Sequence, residues 1–155
     1  MLKLLNLKTV DLNKNLIEEI LRLKDTHWKK GITSQKKYFK ENVYKNDLHL
    51  LLYFNDSLSG YVLLRNRKCT FKKKNIPYFH FDTLIIKKNL RKKELSSFLM
   101  NFVGNFIKFK NSISILYCSN KVVKYYKKFG WKKGNYRDFI LKIKKPKNKN
   151  ILIYK

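Results

Sequence analysis

Hydrophobic residues in the second half of the chain recur with the spacing of an α-helix. They fall at i, i+3, i+4, i+7, i+8 and i+11, in the set Leu95, Phe98, Leu99, Phe102, Val103 and Phe106. This spacing places them on one face of a helix. Residues 77–86 before the helix and 113–117 after it are apolar runs of strand length. Strand, helix and strand in this order predict a parallel strand pair with a right-handed crossover.

The first half of the chain predicts a strand, two helices and a hairpin. Residues 2–7 alternate as a strand does, and a helical repeat of apolar residues follows from Leu12 to Leu23. Ser34 is expected to cap a second helix. Turn-forming residues at 55–59 separate two apolar runs and predict an antiparallel hairpin. A second turn at 72–75 then leads into the strand that ends at residue 86.

The remaining residues predict one more helix and two strands. Asn120 is expected to cap the helix, residues 137–143 return as an edge strand, and 151–154 form a last short strand. The whole order predicts a single α/β (α+β) domain with a mixed central sheet of six to seven strands and about four helices. We expect this domain over residues 1–145, with 146–155 as a basic C-terminal tail or short edge strand.

The formal net charge of +27 indicates either a polyanion-binding surface or a compositional bias. The excess is mostly Lys rather than the Arg that reads bases through bidentate contacts, and Asn, Ile and Phe are also abundant. This pattern favours the bias of an AT-rich genome over nucleic-acid recognition. Seven of the ten acidic residues precede position 61, so the basic excess lies in the second half.

Cysteine content and hydropathy predict the compartment. Cys69 and Cys118 have neither metal-ligand spacing nor the density of a disulfide scaffold, so we expect no metal site and a reducing environment. The N-terminus lacks the apolar core of a signal peptide, and no apolar run approaches the length of a membrane span. These observations predict a cytoplasmic protein. We expect a monomer or homodimer, and the sequence does not select between the two.

The strand, basic loop and helix over residues 83–100 predict an anion site. The first turn of a helix presents N–H groups without intrahelical partners and a partial positive charge, which suits a phosphate. Within this stretch the chain reads Arg91-x-x-Glu94-x-Ser96, and thirty residues later it reads Tyr126-x-x-x-Gly130-Trp131.

Together these two segments resemble the GNAT superfamily of acyl-CoA-dependent N-acetyltransferases. The family's loop reads Arg/Gln-x-x-Gly-x-Gly/Ala, so Glu94 departs from it at the first glycine. The resemblance implies acetyl-CoA as acyl donor, with its pantetheine arm on a strand and its pyrophosphate on the loop. The implied cofactor-binding residues are Leu84, Ile85, Ile86, Arg91, Lys92, Lys93, Glu94, Leu95, Ser96 and Asn120. Lys121 and Lys124 are alternatives to Lys92 and Lys93 for the phosphates.

The resemblance also implies catalytic roles. Tyr126 takes the position of the general acid that protonates the departing thiolate, while a Tyr on an apolar helix face also suits core packing. His80 and Asp82 share one face of the strand. His80 is a candidate general base, with Asp82 orienting it or acting alone. The alternative is a hydrogen-bonded polar pair on a sheet.

The expected acceptor is an amine of a small molecule, with an amino sugar or nucleotide sugar as candidate. It would lie where the first two helices meet the sheet, lined by Trp28, Gln35 and Tyr38. An aromatic side chain such as that of Trp28 can stack on a sugar ring, or it can pack in the hydrophobic core. The alternative function is a non-catalytic basic module that binds nucleic acid or another polyanion.

Overall fold

The structure is a computed structural model that describes residues 1–71, 73–91, 93–134, 139–141, 146–147 and 149–155. The described residues contain four helices: α1 (Lys14–His27), α2 (Ile32–Asn42), α3 (Leu95–Phe109) and α4 (Asn120–Lys127). They also contain eight strands: β1 (Leu2–Lys8), β2 (Leu48–Phe54), β3 (Ser57–Phe71), β4 (Lys74–Ile86), β5 (Ser114–Cys118), β6 (Lys132–Lys133), β7 (Phe139–Leu141) and β8 (Asn150–Tyr154). The predicted mixed α/β architecture is confirmed.

The chain forms two compact units, and the first comprises Met1–Arg65 and Thr83–Leu99. Its strands follow the order β1-β2-β3-β4, with the first two pairs antiparallel. The predicted hairpin is confirmed, with a tighter turn than expected. Asn55 and Asp56 both have positive φ, at 47° and 57°, which is the conformation of a two-residue hairpin turn.

The core of unit 1 joins its helices to its sheet. Asn13 begins α1 by accepting a hydrogen bond from the Leu16 N–H at 2.9 Å, which satisfies one open donor of the first turn. The apolar face of α1 then packs on the strands, in a buried cluster of Ile20, Leu23, Val43, Leu51, Leu58, Tyr61, Leu63 and Ile85. The sequence pattern of α1 therefore translates directly into core packing.

Unit 2 comprises Asn66–Asp82 and Met100–Lys155. Its strands follow the order β3-β4-β5-β8-β6, and β7 pairs with β3. Phe79–Phe81 pairs in parallel with Ser114–Leu116, so the predicted parallel pair is confirmed. A second core cluster consists of Cys69, Tyr78, Ile115, Ile151 and Ile153.

The structure corrects the expectation for the last strand. β8 pairs antiparallel with β5 on one side and with β6 on the other, so it is not an edge strand or a tail. Its side chains at 151–154 are buried, which explains why a strand forms after a basic run. The proposed domain boundary at residue 145 stays a prediction.

Two helix caps also differ from expectation. α2 begins at Ile32 after Gly31, whose φ of +81° turns the chain into the helix, so Ser34 is not the cap. The N-cap of α4 is Ser119, and Asn120 is the first helical residue. The predicted edge strand at 137–143 appears at Phe139–Leu141, and its other residues lie outside the described part. No helix among the described residues has both the length and the apolarity needed to cross a bilayer.

Candidate functional site

The predicted phosphate loop follows β4 in unit 1. The main-chain N–H of Lys87 donates to the carbonyl of Ser59 at 2.8 Å, which ties the start of the loop to β3. A single 3₁₀ turn follows at Lys88–Leu90. α3 begins at Leu95, and the Phe98 N–H donates to the Glu94 carbonyl at 3.0 Å. Helix geometry thus directs the N–H groups before Phe98 out of the N-terminus of α3.

Glu94 adopts a backbone conformation that favours glycine. Its φ is +53°, in the left-handed region, where a residue with a Cβ is disfavoured by about 1 kcal/mol or more. This is the position at which the resembled family carries its first glycine. The loop therefore retains the shape of a glycine turn although the residue is Glu, and the Glu94 side chain is exposed.

Basic side chains around the loop have defined contacts. Arg91 donates from Nε to the Ile86 carbonyl at 3.2 Å and from Nη2 to Nδ1 of His27 at 3.0 Å. Lys93 places its Nζ 4.8 Å from the ring centroid of Phe54. Lys92, also predicted to contact the cofactor, lies outside the described residues. The loop thus lies at a helix N-terminus and carries two cations, Arg91 and Lys93. Both contact residues of neighbouring strands or helices.

The strand residues predicted to bind the pantetheine arm lie at the end of β4. The parallel ladder ends at Phe81, and β4 continues to Ile86. Ile85 and Ile86 are buried and Leu84 is half-buried. Ile85 belongs to the core cluster of unit 1, so its main chain rather than its side chain is suited to contact a ligand.

Tyr126 lies on α4 of unit 2 among aromatic rings. Its ring centroid is 6.0 Å from that of Phe81, 6.1 Å from that of Trp131 and 5.3 Å from that of Tyr125. Burial raises the pKa of Tyr126 well above its ordinary value, and the nearby Cys118 and Tyr125 raise it further. The phenol therefore holds its proton throughout the neutral range.

His80 and Asp82 lie close together in unit 2, as their alternation on β4 predicts. His80 Nε2 is 3.8 Å from Asp82 Oδ1, an ion-pair distance longer than a hydrogen bond. His80 is 4% exposed, and its ring lies 5.4 Å from that of Tyr117. Asp82 is half-buried, so the carboxylate is the more accessible member of the pair.

The structure brings the three predicted acceptor residues together around the turn between α1 and α2. Trp28 is 37% exposed, whereas Gln35 is 4% exposed. Gln35 donates from Nε2 to the Trp28 carbonyl at 2.9 Å, a contact that closes the turn. The ring of Tyr38 carries Lys24 Nζ 4.5 Å above it. Trp28 is thus the member of this set that presents an aromatic surface outward.

Asn120, predicted to contact the cofactor, is exposed at the start of α4. Its Oδ1 accepts a hydrogen bond from Asn150 Nδ2 at 2.7 Å. The same amide nitrogen donates to the Cys118 carbonyl at 3.4 Å. The observed contacts of Asn120 therefore tie α4 to β8.

Sequence reasoning missed the role of His27. This residue ends α1 and contacts Arg91, 64 positions further along the chain. No periodicity or motif joins the two residues. The only signal in the sequence is a His at a helix C-terminus, where the helix dipole favours a basic side chain.

A second histidine, His49, is fully buried in unit 1. It makes hydrogen bonds of 2.9 Å with the Thr9 hydroxyl through Nε2 and with the Tyr61 hydroxyl through Nδ1. Burial lowers the pKa of His49 to about 4, with Lys24 lowering it and Asp47 raising it. His49 is therefore a neutral structural residue. No group of three or more His, Cys, Asp and Glu residues in the described part of the chain is arranged to hold a metal ion.

Comparison of the sequence with models of protein families identifies the family of this chain. Residues 12–138 match the model of the acetyltransferase (GNAT) domain. The protein is therefore a member of the GNAT acetyltransferases, and the resemblance drawn from its two motifs is confirmed. A comparison with curated proteins finds no match.

Solved structures share the fold at low sequence identity. ElaA from Escherichia coli has a TM-score of 0.74 at 13% identity, with 100% of both chains covered. An acyl-CoA N-acyltransferase from Pseudomonas aeruginosa has a TM-score of 0.72 at 13% identity, again over 100% of both chains. Arabidopsis thaliana Naa50, in complex with the bisubstrate analogue CoA-Ac-MVNAL, has a TM-score of 0.68 at 18% identity, covering 99% of this chain and 98% of that one.

Proposed function

We propose that this protein transfers an acetyl group from acetyl-CoA to an amine of a small acceptor, by direct attack of the amine. The observation that carries the proposal is the conformation of Glu94, whose φ of +53° preserves a glycine-type turn at the start of α3. Family membership supports the same reaction class. The structurally similar Naa50 was solved with a CoA-containing analogue, which supports a CoA thioester as donor.

The loop residues suit the anionic part of acetyl-CoA. The N–H groups of Glu94, Leu95 and Ser96 precede the first hydrogen bond of α3 and would hold the pyrophosphate. Arg91 would add positive charge, and Lys92 and Lys93 are further candidates. The exposed Glu94 carboxylate would repel an anion. The main-chain N–H of Glu94 nevertheless remains a hydrogen-bond donor for the pyrophosphate. The main chain of Leu84, Ile85 and Ile86 would bind the pantetheine arm.

The residues of unit 2 suit proton transfer. Acetyl-CoA supplies the thioester whose sulfur leaves as a thiolate. Tyr126 would give this sulfur a proton from its phenol, and the raised pKa keeps that proton in place beforehand. His80 or Asp82 would accept the proton of the attacking amine, with the more exposed Asp82 closer to solvent.

The class of acceptor is the most specific part of the proposal. Trp28 presents a partly exposed ring next to the α1–α2 turn, and such a ring suits the apolar face of an amino sugar or the base of a nucleotide sugar. Tyr38 would line the same region, whereas the buried Gln35 would act by holding the turn. A cytoplasmic location belongs to the same proposal, together with the monomer or homodimer expected from the sequence.

Thermal unfolding with and without acetyl-CoA tests the donor assignment, because a ligand that binds only the native state raises its stability. At about 100 times the dissociation constant the gain is about 2.7 kcal/mol. Desulfo-CoA and an adenine nucleotide serve as controls for the pantetheine and adenosine parts. A rise with acetyl-CoA leads to a screen of amines that begins with amino sugars. No rise at high ligand concentration contradicts the proposal.

One observation favours the second candidate function, binding of a nucleic acid or another polyanion. Unit 2 holds 20 of the 37 Lys and Arg residues but only 2 of the 10 Asp and Glu residues. A cavity of about 340 Å³ in this unit is lined by Lys127, Gly130, Trp131, Lys132 and Lys133. Positive charge concentrated in this way attracts polyanions.

Salt dependence and lysine replacement test this second candidate. Binding of a duplex oligonucleotide should weaken steeply with salt if phosphates are neutralised. Replacing Lys127, Lys132 and Lys133 by Gln should reduce both the affinity and the salt slope. The matched control replaces the exposed Lys36, Lys37 and Lys40 of α2 in unit 1, an equal change of charge. Equal losses in both variants would indicate non-specific attraction only.

A further inference from the structure

The guanidinium of Arg91 is fixed from two directions within unit 1. Its Nε donates to the carbonyl of Ile86, the last residue of β4, at 3.2 Å, and its Nη2 donates to His27 at 3.0 Å. These contacts use two of the five N–H groups of the guanidinium and define its plane. Arg91 stands three residues before Glu94, on the segment that precedes the helix N-terminus.

The His27 imidazole is itself held in place. His27 is the last residue of α1, and its ring stands edge-on to the Trp28 ring at 4.6 Å and 90°. The turn that follows is closed by the Gly31 N–H, which donates to Asp25 Oδ1 at 2.8 Å. The contact thus joins the end of α1 to the segment before α3, with both side chains exposed.

We propose that His27 is a positioning residue of the acyl-donor loop, whose neutral imidazole holds the Arg91 guanidinium against the end of β4 and strengthens binding of acetyl-CoA. This proposal rests on the proposed function, because it assigns His27 to the loop that would bind the donor. Arginine only donates hydrogen bonds, so the Nδ1 atom that faces it must carry a lone pair. The proton of the neutral ring then belongs on Nε2.

Protonation of His27 removes this contact. An imidazolium has donors on both nitrogens and a charge that repels the guanidinium. Partial burial lowers the pKa of His27, and the charge of Arg91 on the adjacent loop lowers it further. Asp25, the nearest carboxylate on the same helix, is engaged by the Gly31 N–H. The tie between His27 and Arg91 is therefore intact at neutral pH and is lost as the pH falls below the ordinary imidazole range.

Titration of acetyl-CoA into wild-type protein, His27→Asn and His27→Ala tests the proposal. Asn retains an acceptor oxygen near the position of Nδ1 but does not titrate. At about pH 7.5 we expect His27→Ala to bind about fivefold more weakly, the loss typical of one ordinary hydrogen bond, and His27→Asn to bind nearly as the wild type does. As the pH is lowered from about 7.5 to below the ordinary imidazole range, the wild type should lose affinity relative to His27→Asn, because the pKa of His27 is lowered. The phosphates of the ligand titrate identically in both proteins, so the difference reports His27.

Three outcomes would overturn the inference or its basis. Equal affinity of all three proteins at every pH means that His27 does not position the loop. Wild-type affinity that rises relative to His27→Asn at low pH makes the imidazolium a direct phosphate ligand instead. If even the wild type does not bind acetyl-CoA, the proposed function fails. In that case the pH at which the imidazole NMR signal of His27 titrates, compared between wild type and Arg91→Gln, still reports whether Arg91 contacts His27.

Discussion

The main-chain N–H of Trp131 donates to the carbonyl of Tyr126 at 3.4 Å, and the two rings lie 6.1 Å apart at 66°. Gly130, between them in sequence, turns the chain with a φ of +84°. Trp131 is buried and forms part of the wall against which Tyr126 packs. The ring of Tyr126 is therefore held by packing, and its hydroxyl is separable from that packing.

Replacing Tyr126 by Phe should lower turnover without unfolding the protein. A lost general acid typically costs about 10²-fold to 10⁴-fold in kcat, whereas the ring contacts with Phe81 and Trp131 remain. The KM for acetyl-CoA should change little. Steady-state kinetics and a thermal melt measure both quantities. Tyr125→Phe is the matched control, because the adjacent Tyr has no proposed role, and unchanged turnover in Tyr126→Phe would remove Tyr126 from the mechanism.

Replacing Glu94 by Gly should increase the affinity for acetyl-CoA. Glycine accepts the observed φ without a Cβ penalty, and the change removes a carboxylate from the phosphate-binding segment. We expect an affinity gain of about twofold to fivefold, the range for one surface charge near a helix N-terminus. Isothermal titration measures it. Glu94→Gln removes the charge and keeps the Cβ, so it separates the two effects, and weaker binding by Glu94→Gly would show that the carboxylate assists the site.

Stability should fall as the pH drops from the ordinary imidazole range to about 4, because of His49. The folded protein keeps His49 neutral to about pH 4, whereas the unfolded chain protonates it near 6.5. Between these values the unfolded state binds more protons, so the free energy of unfolding decreases with falling pH, by about 3 kcal/mol in total. Urea denaturation across this range measures the loss. His49→Gln should flatten the profile, and an imidazole NMR signal of His49 that titrates near its ordinary pKa would contradict the assignment.

Two glycines with positive φ should respond differently to replacement by alanine. Gly31 and Gly130 have φ values of +81° and +84°. A Cβ on Gly31 meets nothing within 4 Å, whereas a Cβ on Gly130 would lie 3.2 Å from Cε2 of Tyr154. Gly31→Ala should cost about 1 to 3 kcal/mol from backbone strain alone, because its φ of +81° is combined with a ψ of 148°. Gly130→Ala should in addition force the buried Tyr154 to shift. Chemical denaturation measures both losses, and a loss for Gly130→Ala of no more than about 1 kcal/mol would show that Tyr154 yields freely.

Local patterns predicted the elements whose cores are built from near neighbours. The apolar spacing from Leu95 to Phe106 predicted α3, and the turn-forming residues at 55–59 predicted the hairpin. In both cases the information lies within a few residues. The caps at Gly31 and Ser119 were missed because Ser34 and Asn120 are equally good capping residues by type, and only the path of the chain selects between them.

Features that depend on distant partners could not be predicted. The position of β8 between β5 and β6 is fixed by pairing with residues about 20 to 40 positions away, as in the pair Ser114 and Tyr154. The contact of His27 with Arg91 spans a wider gap, of 64 positions. The sequence identified Glu94 as a departure from the family pattern. Its residue type, however, gave no indication that the backbone of Glu94 has a positive φ.

The position of β8 between β5 and β6 has a consequence for synthesis of the chain. β5 lies between β4 and β8 in the sheet, so a nascent chain that has not reached residue 150 leaves one edge of β5 without its partner. An open strand edge is a template for pairing between chains. Any pause of the ribosome at the lysine codons that precede β8 would lengthen the time for which this edge of β5 is exposed. The yield of native protein should therefore depend on the speed of translation through this stretch and on the chaperones that cover β5 in the meantime.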